Sequence, residues 1–201
     1  MLDSEIIVVS GLPRSGTSLM MQMLAQGGVP VLTDGERSAD VDNPRGYLEF
    51  EPVKRLQHDA SWVPQARGHA VKMISFHLEF LPPEETYRVI FMERSLDEVL
   101  ASQSKMLERR NVAATTSPEN LRRSFELHLR RIGNWLQRQP NMSVLPVPYA
   151  EVLADPLTMT ARINQFLGHR VRLPGMIAAI DAGLYRNRSD VSGTPVQPAR
   201  D

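Results

Sequence analysis

The chain alternates short apolar, β-branched runs with longer segments in which apolar residues recur at helical spacing. Ile6, Ile7, Val8 and Val9 form the first run, of the kind that makes a strand buried on both faces. Beyond it Met20, Met23 and Leu24 stand one helical turn apart, and Gly27-Gly28 stops that helix. Val29, Val31 and Leu32 predict a second short strand. Pro30 cannot donate to a ladder, so that strand lies at an edge or begins at Val31. Residues 71–76 and 87–92 are the next strand candidates, divided by the Pro82-Pro83 break.

Ser95 with Glu98 three residues on is a capping box, opening a helix whose stripe is Leu96, Val99, Leu100 and Leu107. Ser117-Pro118 opens a longer helix carrying Leu121, Phe125, Leu129, Ile132 and Leu136. A strand over 142–147 follows. Asp155-Pro156 then caps a helix with Met159, Ile163, Phe166 and Leu167 as its stripe and Gly168 as its stop, and 176–180 is a short helix. Strands alternating with helices give an α/β fold with a mainly parallel sheet.

At 201 residues the chain has the length of one domain with a real core, over 1–188, ending in a flexible Ser/Gly/Pro-rich polar tail over 189–201. Lys+Arg and Asp+Glu balance at 23 each, so no overall field draws the protein to nucleic acid or to an acidic membrane. Arg122, Arg123, Arg130, Arg131 and Arg138 accordingly read as the solvated face of the long helix. The absence of cysteine excludes disulfides, thiol catalysis and cysteine-ligated metal. Residues 1–5 are acidic, and the run after them is too short for a signal peptide or a membrane span. The expectation is a soluble, cytoplasmic protein.

The chemistry concentrates between the first strand and the first helix, in Gly11-Leu12-Pro13-Arg14-Ser15-Gly16-Thr17-Ser18. Two glycines let the backbone approach an anion, and the free N–H groups of a first helical turn point at it. The pattern GxxxxGK(S/T) is met at Gly11, Gly16 and Ser18, but Thr17 stands where the lysine belongs and the cation sits earlier, at Arg14. A nucleoside triphosphatase uses that lysine on the β- and γ-phosphates. Its displacement points to an anion with fewer phosphates in a row. The bland alternative is an ordinary strand-to-helix turn.

Other candidates lie further along. Residues 33–45 are polar and charged and read as a mobile loop or lid, followed by Glu49 and Glu51 among aromatics. On a strand those two carboxylates share a face and on a helix they diverge; Glu49 is a candidate base, and the alternative is two solvated acids. His77 falls at the C-terminal end of a predicted strand, where open α/β sheets place ligands. Arg94 at a helix mouth and Ser102 along its face could grip one anion together. Tyr185-Arg186-Asn187-Arg188 is a compact cationic cluster.

Taken together, these residues resemble the P-loop sulfotransferases. The loop Gly11 to Ser18 is similar to that family's loop for a 5′-phosphosulfate, and Arg94 with Ser102 to its 3′-phosphate-binding pair. Val147-Pro148-Tyr149-Ala150-Glu151-Val152-Leu153-Ala154-Asp155-Pro156 and Phe166-Leu167-Gly168 resemble its Tyr-Glu-x-Leu, Asp-Pro and Phe-Leu-Gly segment. Asn43-Pro44-Arg45-Gly46-Tyr47-Leu48-Glu49 resembles short bacterial members. Leu19 stands where many animal members carry an aromatic.

The resemblance implies a P-loop NTPase-like sheet and transfer of a sulfuryl group from 3′-phosphoadenosine 5′-phosphosulfate to an acceptor hydroxyl or amine, with no metal. Pro13, Arg14, Ser15, Gly16, Thr17 and Ser18 would hold the 5′-phosphosulfate, Arg14 neutralising charge on the bridging oxygen. Arg94 and Ser102 would hold the 3′-phosphate and Tyr149 would lie near the adenine. Arg186 or Arg188 would stand in for a C-terminal basic contact. Ser75-Phe76-His77-Leu78 resembles the family's Lys-Thr-His-Leu segment with the histidine matched and the lysine lost. Glu49 and His77 would be the candidate bases, with Glu49 preferred. The acceptor, a small molecule or a glycan or peptide, would lie against 33–45 and 111–116. An ATP-dependent small kinase and a catalytically silent nucleotide-binding protein are the competing readings.

Overall fold

The computed structural model describes residues 4–35, 46–109, 111–113 and 116–180. Four parallel strands make the sheet: β1 (Ile6–Gly11), β2 (Ala70–Lys72), β3 (Tyr87–Glu93) and β4 (Met142–Pro148), in the order β2-β1-β3-β4. All six residues of β1 are buried, as its apolar run requires of a strand between two layers. Side-chain alternation then divides the core. Ile7 and Val9 pack on one face with α1 (Thr17–Gln26), α4 (Tyr149–Ala154), α5 (Pro156–Phe166) and α6 (Leu173–Ala178). Ile6 and Val8 pack on the other with Ile132 and Leu136 of α3 (Pro118–Leu136) and with 3-10 turns. Leu12, Val99 and Phe125 form a smaller cluster where α2 (Leu96–Arg109) meets α3.

Local chemistry sets several boundaries as the sequence predicts. Ser117 Oγ accepts from the Asn120 N–H at 3.3 Å, and Asp155 Oδ1 from the Thr158 N–H at 3.1 Å, each with proline in the first turn. Gly27 closes α1, its N–H donating to the Met23 carbonyl at 2.8 Å.

Three elements differ. The strand expected near 29–32 is a single bridge, Val31 to Ala70, with the Pro30 carbonyl accepting from the Ala70 N–H. The strand expected over 71–76 ends at Lys72, and Ser75–Phe80 is a 3-10 turn, so His77 lies on that turn rather than at a strand end. Helix α4 follows β4 directly from Pro148, whose fixed φ suits a helix start; its length of 6 residues leaves too little periodicity to read. The polar tail and the Arg186–Arg188 cluster fall outside the described residues, as does 36–45 of the expected lid. Among the described residues no helix is long and apolar enough to cross a membrane.

Candidate functional site

The site is built where β1 ends and α1 begins. Gly11 has φ 148° and Gly16 φ 103°, conformations that side chains disfavour. Close approach requires glycine at both positions as well. A Cβ on Gly11 would lie 2.5 Å from Ser15 Oγ and 2.6 Å from the Met92 carbonyl, and one on Gly16 would enter the ring of Tyr149. Gly16 stands at the N-cap of α1 without a side-chain cap, and the first turn holds no acid. The opening N–H groups of the helix, with the positive end of its dipole, therefore remain available to an anion. Ser10 Oγ and Ser15 Oγ are buried without a hydrogen-bond partner among the described residues. Buried hydroxyls rarely stay unpaired. Together these features fit a phosphate-sized ligand at this mouth.

Arg14 takes φ 69°, unusual for a non-glycine residue, and is tied at both ends. Its Nε donates to Ser102 Oγ at 2.9 Å, and its carbonyl accepts from Arg94 Nη1 at 3.1 Å. The displaced cation of the loop is thus anchored to α2 and to the chain just beyond β3. Arg94 and Ser102 both contact Arg14, the first at its carbonyl and the second at its Nε. Sequence reasoning missed a fourth member. Glu98, one helical turn after Arg94, accepts from Arg94 Nε at 2.8 Å, with side-chain exposures of only 7% and 10%. The guanidinium also lies 4.5 Å from the centre of the Tyr149 ring. Burial holds the Tyr149 hydroxyl above its usual pKa, with Arg94 opposing. Arg94 is therefore already engaged by a buried carboxylate.

The second missed residue is Lys72. At the end of β2, in register with Val9, it sends its ammonium under the mouth of α1. Nζ donates to Tyr47 O at 2.6 Å, Glu49 Oε1 at 3.0 Å and Ser18 Oγ at 3.2 Å. A lysine in an apolar run is the available signal, because a lysine so placed must find partners. Glu49 comes to the site through this contact and is held on irregular backbone, where Gln22 Nε2 donates to Gly46 O and Thr33 Oγ1 to Glu49 O. Glu51 turns away to the surface and pairs with Lys54, so the two acids part company. Arg14, Lys72 and Arg94 thus gather at the loop, with Glu49 and Glu98 offsetting two of the three charges.

His77 is half-buried, and burial lowers its pKa, so its imidazole is neutral at pH 7. It makes no side-chain hydrogen bond among the described residues; its backbone N–H donates to Ile74. Of the two candidate bases, only Glu49 is held in the Lys72 network. Pro13 and Thr17 lie in the same loop, both partly exposed. Arg186 and Arg188 lie outside the described residues.

No family model and no curated protein matches this sequence. Solved structures do. The sulfotransferase domain from the Synechococcus PCC 7002 olefin synthase aligns with a TM-score of 0.55 at 15% identity, over 93% of this chain and 81% of that one. The sulfotransferase domain from the curacin biosynthetic pathway aligns at 0.54 and 15%, over 89% and 78%. Mouse sulfotransferase SULT7A1, solved in complex with PAP, aligns at 0.51 and 16%, over 88% of this chain and 62% of that one. The fold is that of the sulfotransferases.

Proposed function

We propose that this chain is a sulfotransferase using 3′-phosphoadenosine 5′-phosphosulfate, acting on an acceptor hydroxyl or amine. The observation that carries the proposal is the cradle itself. An open helix mouth, two orphaned buried hydroxyls and a cation moved to Arg14 are joined through Ser102 and Arg94 to the neighbouring helix. The donor supplies an activated sulfuryl group on its 5′-phosphate. The loop N–H groups with Ser15, Gly16, Thr17 and Ser18 hold that phosphate, while Arg14 offsets charge on the oxygen that leaves with it. Lys72, beside Ser18, adds a second positive charge at the same place. Glu49 takes the acceptor's proton, and Lys72 keeps it turned towards the loop. Arg94, Ser102 and Tyr149 form the nucleotide end. The acceptor is a small molecule or an exposed group of a glycan or peptide.

One observation favours a second reading. Glu98 already neutralises Arg94, which suits a nucleotide without a 3′-phosphate, as an ATP-dependent small kinase would bind. A thermal-shift series separates the two, because a ligand of the native state raises the melting temperature in proportion to its binding free energy. Adenosine 3′,5′-bisphosphate should stabilise the protein well beyond ADP or ATP, with or without magnesium, and Arg94→Ala should remove that advantage. Equal shifts for ADP and the bisphosphate would overturn the sulfotransferase reading.

A further inference from the structure

A cavity of about 650 Å³ lies on the sheet face opposite α1, between the second half of α3 and the strands β3 and β4. Its size is that of a small-molecule pocket, and packed interiors do not otherwise leave such a space. The walls are apolar: Leu129, Ile132 and Leu136 of α3 face Phe91 and Val144 across it. Gly133 stands in the same helical stripe, and a Cβ added there would meet no atom within 4 Å. Glycine in a helix interior is disfavoured against alanine. Here it leaves the cavity wide at its middle. The slot runs parallel to β4, from Gln137 and Gln139 at the start of the strand to Ser15 of the Gly11–Ser18 loop and Glu93 and Arg94 beside it.

The loop end decides the ligand's head group. Glu93 is exposed, and among the described residues its side chain makes no hydrogen bond or ion pair, so its carboxylate is open to a donor. Arg94 is paired with Glu98 and Arg14 lies behind it, so the charges of these four residues sum to zero. That cluster has no net charge to repay a charged head for its lost hydration, whereas a hydroxyl loses little and can donate to Glu93. We propose that this slot binds a neutral alcohol with an extended apolar body, its hydroxyl at the Glu93 end. The site lies across the sheet from Lys72 and Glu49, meets the proposed donor site at Ser15 and Arg94, and does not depend on the sulfuryl-transfer reading.

The test is a titration of the full chain with octan-1-ol, octanoate and octylamine, followed by amide ¹H–¹⁵N chemical shifts. Octan-1-ol should give saturable shifts at Gly133 and Val144 while Glu49 and Lys72 stay still, and the two charged homologues should bind at least tenfold more weakly. Gly133→Phe should abolish the octan-1-ol response with the helical circular dichroism kept, and Gly133→Leu should give the same answer with a smaller side chain. Absence of saturable shifts would overturn the proposal. So would shifts centred on Glu49 and Lys72, octanoate or octylamine binding as tightly as octan-1-ol, or a response untouched by both substitutions.

Discussion

Lys72 Nζ and Glu49 Oε1 lie 3.0 Å apart at the mouth of α1, with side-chain exposures of 9% and 20%. The contact brings a strand-end cation and a loop carboxylate, 23 positions apart in sequence, to the side of Ser18. Neither charge is well hydrated there, so each depends on the other.

Lys72→Met should therefore strand the Glu49 carboxylate. A hydrogen bond to a charged group is worth about 1.5–3 kcal/mol, and a loss in that range is expected. Glu49→Gln in the Lys72→Met background should cost less than in the wild-type protein. Urea denaturation of the double-mutant cycle measures the coupling, and additive losses would contradict it.

Glu98→Gln tests the proposed nucleotide end. The amide oxygen can still accept from Arg94 Nε, so the guanidinium keeps its orientation while a buried negative charge disappears. Affinity for adenosine 3′,5′-bisphosphate should rise about tenfold, equal to about 1.4 kcal/mol, with ADP affinity changing little. Isothermal titration of both nucleotides gives the comparison, and an equal gain for ADP would place the 3′-phosphate elsewhere.

Gly16→Ala combines a disfavoured φ of 103° with a clash into the Tyr149 ring. Backbone strain of this kind costs about 1–3 kcal/mol. Tyr149→Ala should be less harmful in the Gly16→Ala protein than alone, because it removes the obstructing ring. Thermal denaturation of the two single variants and the double variant measures this.

His128 Nε2 and Ser75 Oγ lie 2.8 Å apart in the interior between α3 and the 75–80 turn. The Phe76 ring stacks on the imidazole at 3.7 Å. Burial lowers the His128 pKa first, Arg131 lowers it further, and Glu79 opposes. The unfolded chain therefore binds more protons than the native state as pH falls through the ordinary histidine range. Stability should be full above that range and decline as pH drops through it towards the depressed native value. His77, lowered by burial alone, acts in the same direction. His128→Gln should flatten the slope of melting temperature against pH between 7 and 5, and an unchanged slope would assign the effect elsewhere.

Whatever rests on a few neighbouring residues was legible in the chain. The buried run of β1, the glycines at 11 and 16 and the caps at Ser117 and Asp155 each follow from the backbone's own requirements over a turn or two. The order of these signals was enough for the parallel sheet and for the place of the glycine loop between β1 and α1. Folding decided the contacts among charges. Lys72 reaches Ser18 because parallel pairing sets it beside Val9, a register formed across 63 positions of chain. Arg94 stands equally well before a phosphate or a glutamate in sequence; the turn of α2 that brings Glu98 beneath it supplies the glutamate. Spacing specifies local geometry because the peptide unit is stiff. The partner of a long charged side chain is chosen by whichever opposite charge is buried within its reach.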